Sequence, residues 1–277
     1  MSKVWFITGS SRGLGRALAE AVLAKGDKLV ATARNLQQLA DLEEHYGGQI
    51  SSVALDVTDP GQAKAAITAA VERFGRLDVV VNNAGYGNMS AIEETSLDDF
   101  RAQIETNLWG VIHVTKAALP VLREQGSGHF LQISSIGGRA GAPGLAAYQT
   151  AKWGVEGFSE VLAKEVAPLG IKVTIVEPGG FRTDWAGPSM SHIEPGEPYK
   201  DTVGQLLKHV RSRTGQEPGD PARAALAMLA IVEEANPPLR LLLGSDAVGM
   251  AKEIDQAKLA ETLRWEALST SADFAAN

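Results

Sequence analysis

Val4-Trp5-Phe6-Ile7-Thr8-Gly9-Ser10-Ser11-Arg12-Gly13-Leu14-Gly15 stands near the start of the chain, and its reading decides the fold. Val4–Thr8 is apolar and β-branched without polar alternation, the pattern of a strand buried on both faces. Three glycines follow, spaced G-x3-G-x-G, and Leu14–Lys25 then takes helical spacing. A glycine turn between strand and helix lets the backbone bend sharply and approach a pyrophosphate. The helix start supplies free N–H groups and a partial positive charge. Gly9, Ser11, Arg12, Gly13, Leu14 and Gly15 are therefore candidate phosphate-cradle residues. Glycines also serve plain tight turns, but the strand before and the helix after favour the cradle.

The alternation continues outward from this turn. Lys28–Ala33, Ile50–Leu55, Asp78–Asn82, His129–Ser134, Ile171–Glu177 and Leu239–Leu243 read as further strands. Leu36–Tyr46, Pro60–Phe74, Leu97–Gln125, Ala147–Ala167 and Asp220–Glu234 read as the helices between them. Repeated βα units predict an α/β fold, a doubly wound parallel sheet with helices on both faces. No linker divides residues 1–277, so one domain is expected. Residues 180–219 interrupt the pattern with Pro188, Pro195, Pro198 and Pro218 and read as an irregular substrate lid. Residues 245–277 read as a helical tail with Ile254, Leu259, Leu263 and Leu268 as contact positions.

Composition removes several classes of function. The 277 residues carry a formal net charge of −7 and no basic stripe, which argues against nucleic-acid binding. Without cysteine there is no disulfide, thiolate metal site or cysteine nucleophile. His45, His113, His129, His192 and His209 lack metal-ligand spacing. The N-terminus has no signal-peptide core, and no apolar run spans a bilayer, so a soluble cytoplasmic protein is expected, with no membrane partner.

The second strand bears on the choice of dinucleotide. An acidic residue at its end would bind a ribose 2′-hydroxyl. Here it ends Val30-Ala31-Thr32-Ala33-Arg34, with Arg12 in the glycine turn nearby. Two guanidiniums suit a 2′-phosphate through forked, charge-assisted hydrogen bonds, so NADP(H) is the predicted cofactor. The plain alternative is two solvated surface arginines.

Further motifs follow in order: Asn82-Asn83-Ala84-Gly85, then Ser135 with Tyr148 and Lys152, then Pro178-Gly179 with Thr183. Across residues 3–183 this set resembles the short-chain dehydrogenase/reductase superfamily in its single-domain branch. The resemblance implies a Rossmann-type seven-stranded parallel sheet of order 3-2-1-4-5-6-7. It implies Asp56, with Val57, at the adenine, and Asn83, Ala84 and Gly85 beside the cofactor. Pro178, Gly179, Phe181 and Thr183 join the cofactor-binding set, with Lys152 on the nicotinamide ribose. Asn107 matches an asparagine that holds a relay water. A homodimer or homotetramer through Leu97–Gln125 and Ala147–Ala167 is also implied.

The chemistry can be argued from the residues as well. Tyr148 and Lys152 are four apart in a helical segment and share a face. Ser135 follows a strand at the carboxyl edge of the sheet, where ligands bind in open α/β folds. Hydride transfer to a carbonyl leaves an oxyanion that needs a proton, and Tyr148 can supply it as general acid or take it back as base. Lys152 is expected to lower the phenol's pKa, and Ser135 to hydrogen-bond the substrate oxygen. Ser134 competes with Ser135, and the family's spacing to the tyrosine favours Ser135. Glu160 and Glu165 read as a solvated helix face, and His113 as a packed histidine.

Phe181, Trp185, Met190, Ile193 and Tyr199 in the lid give the expected pocket an apolar side, with Tyr86 and Gly141–Leu145 flanking it. Trp185 and Tyr86 join Ser135 and Tyr148 as substrate-binding candidates, for a hydrophobic ketone, aldehyde or secondary alcohol. Trp185 and Tyr199 could equally pack the lid to the body. Two rival readings use the same scaffold: a lyase or epimerase, and an NADP(H)-binding sensor without turnover.

Overall fold

A computed structural model describes residues 2–184, 190 and 192–274. Strand β1 (Val4–Ile7) leads through the glycine turn into α1 (Gly13–Ala24), then β2 (Lys28–Ala33). A 3-10 turn at Leu36–Leu39 precedes α2 (Ala40–Tyr46) and β3 (Ile50–Ala54). Helix α3 (Pro60–Phe74) has matched start and stop signals. Asp59 caps the N–H groups of Gly61 and Gln62 at 2.7 and 3.1 Å, Pro60 opens the helix, and Gly75 closes it at φ 77°.

Strand β4 (Val79–Asn82) is followed by α4 (Leu97–Ile104), capped by Ser96, and α5 (Gly110–Gln125). The segment predicted as one helix is indeed continuous, but Glu105–Trp109 forms a π-helical turn between α4 and α5. Strand β5 (Gly128–Ile133), α6 (Ala146–Val166) and β6 (Ile171–Pro178) come next. After the lid, α8 (Pro221–Glu233) repeats the Asp-Pro start of α3, with Asp220 accepting from Ala222 N at 2.8 Å. Strand β7 (Arg240–Leu243) and the terminal helix α9 (Ser245–Thr270) complete the order.

The seven strands are parallel and hydrogen-bonded in the order β3-β2-β1-β4-β5-β6-β7, as the family resemblance implied. Alternate residues explain why the strands lack polar alternation. Trp5, Ile7, Val79, Val81, Leu131 and Ile133 enter the core on the α1 and α8 side. Phe6, Val80 and Phe130 enter the opposite core, against α3, α5 and α6. Both faces are dry, so most positions in these central strands are apolar, and the polar exceptions pair internally, as Asn82 does with Gln132 at 2.8 Å and His129 with Thr174 at 2.9 Å. Each large side chain so buried contributes on the order of 2 kcal/mol.

Two expectations need correction. The lid is not wholly irregular, because Val203–Arg213 forms helix α7. Its apolar residues Val203, Leu206, Leu207 and Val210 have helical spacing, but proline-rich segments on either side masked it. In α9, Ala247 and Ala251 are the buried contacts, and Ile254 is half-buried. Leu259, Leu263 and Leu268, expected as contacts, are 60%, 60% and 66% exposed, since the helix runs clear of the body beyond Lys258. No helix of the described residues is long and apolar enough to cross a membrane.

Candidate active site

The carboxyl ends of β1, β4, β5 and β6 converge on one edge of the sheet, and the predicted site residues gather there. Gly9 and Gly13 have φ of 65° and 58°, in the left-handed region that glycine tolerates. A Cβ on Gly15 would lie 2.3 Å from Gly9 O and from Asn83 Nδ2, so the turn closes only around glycine. Asn83 secures that turn by donating to Thr8 O at 2.9 Å and Gly9 O at 3.1 Å. Thr8 Oγ1 in turn accepts from the backbone of Asn83 and Ala84, both at 2.9 Å. Thr183 lies against Gly13, which brings the segment after β6 onto the same turn.

Arg12 precedes α1 and Arg34 follows β2, both exposed. Neither has an acidic partner within 4 Å or a side-chain hydrogen bond among the described residues. The cradle that a Cβ would fill and two uncommitted guanidiniums beside it fit a phosphorylated dinucleotide. Asp56 sits after β3, where its carboxylate accepts from Thr58 N at 3.0 Å and Thr58 Oγ1 at 2.8 Å in a local turn. The Val57 side chain is spent on packing against Gly110 of α5. Phe181 packs on the core with its side chain, while its backbone bridges to Gly219. Trp185 lies outside the described residues.

Helix α6 delivers the chemistry. Tyr148 and Lys152 are both buried on its inner face. Tyr148 is hydrogen-bonded to Ser135, whose Oγ also accepts from Gly137 N at 3.0 Å. Lys152 Nζ donates to Ile133 O at 2.7 Å and lies 5.6 Å from the centre of the Tyr148 ring. Burial dominates both groups. It pushes the Tyr148 phenol up to about 12, partly offset by Ser135, and pushes the Lys152 amine down to about 8. The direction at Tyr148 is opposite to the lowering expected from an adjacent cation. The cost of taking a phenolate out of water outweighs what the Ser135 hydrogen bond returns. Tyr148 is thereby held as the neutral phenol, the form that donates a proton.

Asn107 lies in the π-helical turn and is fully buried. Its amide donates to Tyr86 O and Gln103 O, each at 2.8 Å, and its Oδ1 accepts from Tyr86 N at 3.1 Å. These contacts clamp Tyr86 beside Gly85 and Lys152. Extra turns of this kind recur at functional sites. His113 is half-buried and contacts Val57 O at 3.1 Å, a packing role as expected. Among the described residues no cluster of three metal-ligating side chains occurs.

A family model described as short chain dehydrogenase matches residues 3–194. The chain belongs to the short-chain dehydrogenase family. It is 53% identical over 270 residues to the oxidoreductase BOA17 of Botryotinia fuckeliana, covering 97% of this chain and 98% of that one. A short-chain dehydrogenase of Streptomyces avermitilis superposes with a TM-score of 0.92 at 41% identity, covering 99% and 100% of the two chains. An alcohol dehydrogenase of Thermococcus sibiricus, solved with 5-hydroxy-NADP, matches at TM-score 0.73 and 28% identity over 88% and 96%. Other structural neighbours hold NAD as well as NADP. The chain is thus a nucleotide-binding oxidoreductase on this scaffold.

In this short-chain dehydrogenase the described residues of the 180–219 segment are fastened to the body in a way the sequence did not disclose. Tyr199 Oη donates to Glu93 at 2.6 Å, Gly196 N donates to Glu94 at 2.8 Å, and Ile193 N donates to Met89 O at 3.0 Å. Met190 is buried with Met89 and Leu207, while Ile193 is exposed. Tyr199 therefore serves attachment to the body, one of the two roles considered for it. Sequence reasoning also passed over Glu156, Arg139, Glu177 and Arg240. They form an ion network behind Lys152 that joins the turn after β5, α6, β6 and β7. Only the i, i+4 spacing of Glu156 from Lys152 hinted at it.

Proposed function

We propose that this protein is an NADP(H)-dependent reductase or dehydrogenase acting on a carbonyl or secondary alcohol, with Tyr148 as general acid and base. The observation that carries the reading is the buried Ser135–Tyr148–Lys152 group on the sheet edge that also bears the glycine cradle. The nicotinamide, when bound, supplies or takes the hydride. The chain's own residues do the rest. Gly9 to Gly15 hold the pyrophosphate on the start of α1, and Arg12 and Arg34 hold the 2′-phosphate. Asp56, Val57, Asn83, Ala84 and Gly85 line the dinucleotide's adenosine side and floor. Pro178, Gly179, Phe181 and Thr183 close over it, mainly through backbone.

Ser135 Oγ orients the substrate oxygen and donates to the charge that develops there. Tyr148 Oη then gives that oxygen its proton. In the reverse direction the tyrosinate left by that step takes the proton back. Lys152 holds positive charge beside the phenol. Asn107 fixes Tyr86 at the cleft wall. The apolar lid beside Met89 suits a substrate with a hydrophobic body. A homodimer across α4, α5 and α6 is supported by Trp109, Trp153 and Val161, which stand 45%, 46% and 55% exposed on that face.

The test is NADPH titration by fluorescence with Tyr148→Phe, together with a screen of ketones and aldehydes. Turnover is expected to fall about 10²–10⁴-fold while NADPH affinity stays at the parent value. Equal turnover in parent and variant refutes the role of Tyr148.

A further inference from the structure

The end of β5 presents three consecutive residues to α6. Ser135 meets Tyr148, Ile133 O meets Lys152, and Ser134 faces Glu156. Tyr148, Lys152 and Glu156 follow at four-residue steps along one buried face. Room for Glu156 comes from Gly138, where a Cβ would lie 2.7 Å from Ser134 Oγ and 3.0 Å from Glu156 Cγ. Glu156 Oε2 accepts from Arg240 Nε at 3.0 Å. Its Oε1 is buried and, like Ser134 Oγ, short of an aligned hydrogen bond, although the hydroxyl still favours the ionised carboxylate.

We propose that Glu156 is a positioning residue of this site: anchored by Arg240, its carboxylate is the counter-charge that keeps Lys152 cationic beside Tyr148. The inference rests on the catalytic reading of Tyr148 and Lys152 given above. Lys152 has no carboxylate within 4 Å among the described residues, so the attraction acts across a dry interior, where charges are weakly screened. Burial drives the Lys152 amine towards neutrality, and Glu156 opposes it. The other groups around the pair are few. Lys152 faces Tyr148, Ile133 O and, across Gly85, Asn107. Glu156 faces Arg240 from β7, Glu177 from β6 and Ser134 from β5, while Glu160 on α6 shares Arg240.

Burial raises the Glu156 carboxyl and Glu177 repels it further, so the anion needs its cations. Arg139 takes up Glu177 with Nε at 2.9 Å to both oxygens, and Asp255 of α9 holds Arg139 in turn at 3.1 Å. Arg240 reaches Glu156 and Glu160 at 3.0 Å each, with Glu177 farther off at 3.6 Å.

The test is the titration of Lys152 itself, followed by NMR in the full-length protein labelled with ¹³C at lysine Cε and assigned with Lys152→Met. No substrate or cofactor is needed, so the result stands apart from whether a carbonyl is ever turned over. The parent midpoint is expected near 8. Glu156→Gln is expected to lower it by about one pH unit, Glu156→Asp to restore most of the drop, and Glu160→Gln to leave it in place. A Glu156→Gln midpoint equal to the parent's overturns the proposal. Should Glu156→Gln fail to fold, the parent protein decides. With glutamate carboxyls also labelled, the Glu156 and Lys152 curves should each show the other's inflection, and two independent single-step curves overturn the proposal.

Discussion

His129 offers a stability test whose size follows from its surroundings. It sits buried in β5, paired across the sheet with Lys172 of β6. Thr174 Oγ1 donates to Pro238 O at 3.0 Å, so it accepts from His129 Nε2 at 2.9 Å. That fixes the tautomer and leaves Nδ1 a buried acceptor without a partner among the described residues. Protonation would place an N–H there with nothing to receive it. Burial, and secondarily Lys172, lower the imidazole from 6.5 to about 4. The unfolded chain takes up its proton near 6.5, the folded chain only near 4. This contribution is therefore complete above pH 6.5 and is lost as pH falls towards 4. Linkage gives about 2 kcal/mol lost by pH 5 and about 3 kcal/mol in full. Urea unfolding at about pH 7.5 and pH 5, in the parent and in His129→Gln, measures it. Glutamine can still donate to Thr174 and never titrates. The parent is expected to lose about 2 kcal/mol more than the variant over that interval. Equal losses would refute the argument that a neutral imidazole is locked into the sheet.

Arg34→Asp should weaken NADPH binding about 10- to 100-fold, the loss of one charge-assisted contact, and should raise the relative affinity for NADH; fluorescence titration with both cofactors reads this, and an unchanged NADPH affinity removes Arg34 from the site. Gly15→Ala puts a methyl 2.3 Å from Gly9 O and Asn83 Nδ2. It should destabilise the chain by about 1–3 kcal/mol, seen as a lower thermal midpoint, and weaken both dinucleotides; unchanged binding of both would show that the turn does not form the cradle.

The sheet was legible because its strands are buried on both faces and its helices carry explicit stops. Asp59-Pro60 and Gly75 state both limits of α3, and Asp220-Pro221 states the start of α8. The cradle and the Tyr148–Lys152 pair were legible because each depends on spacing within one segment. What escaped depends on contacts between segments. The π-helical turn at Asn107 breaks no hydrophobic pattern, since a single widened turn leaves the residues on either side helical. Glu156 shares the face of Tyr148 and Lys152, but its partner Arg240 comes from β7, 84 residues on, which spacing within one helix does not show. The direction of the Tyr148 shift was misjudged for a related reason. Proximity of a cation is visible in an i, i+4 pair, but depth of burial is not.

The lid's attachments carry one more consequence. At its base Gly219 N donates to Gly180 O at 2.9 Å and Arg182 N donates to Gly219 O at 3.1 Å. Further out, Met89 and His192 meet as a backbone bridge. These clasps are amide to amide, but the base has no room for a side chain at Gly219, where a Cβ would lie 2.5 Å from Gly180 O and from the Phe181 ring. If the segment shapes the substrate as proposed, its other side chains can change without loosening this frame as long as Gly219, Tyr199, Glu93 and Glu94 are kept. Meanwhile Tyr148 and Lys152 lie on α6 and Ser135 just after β5, outside that stretch. On the proposed function, that partition makes residues 180–219 the place to graft a new specificity onto this chain.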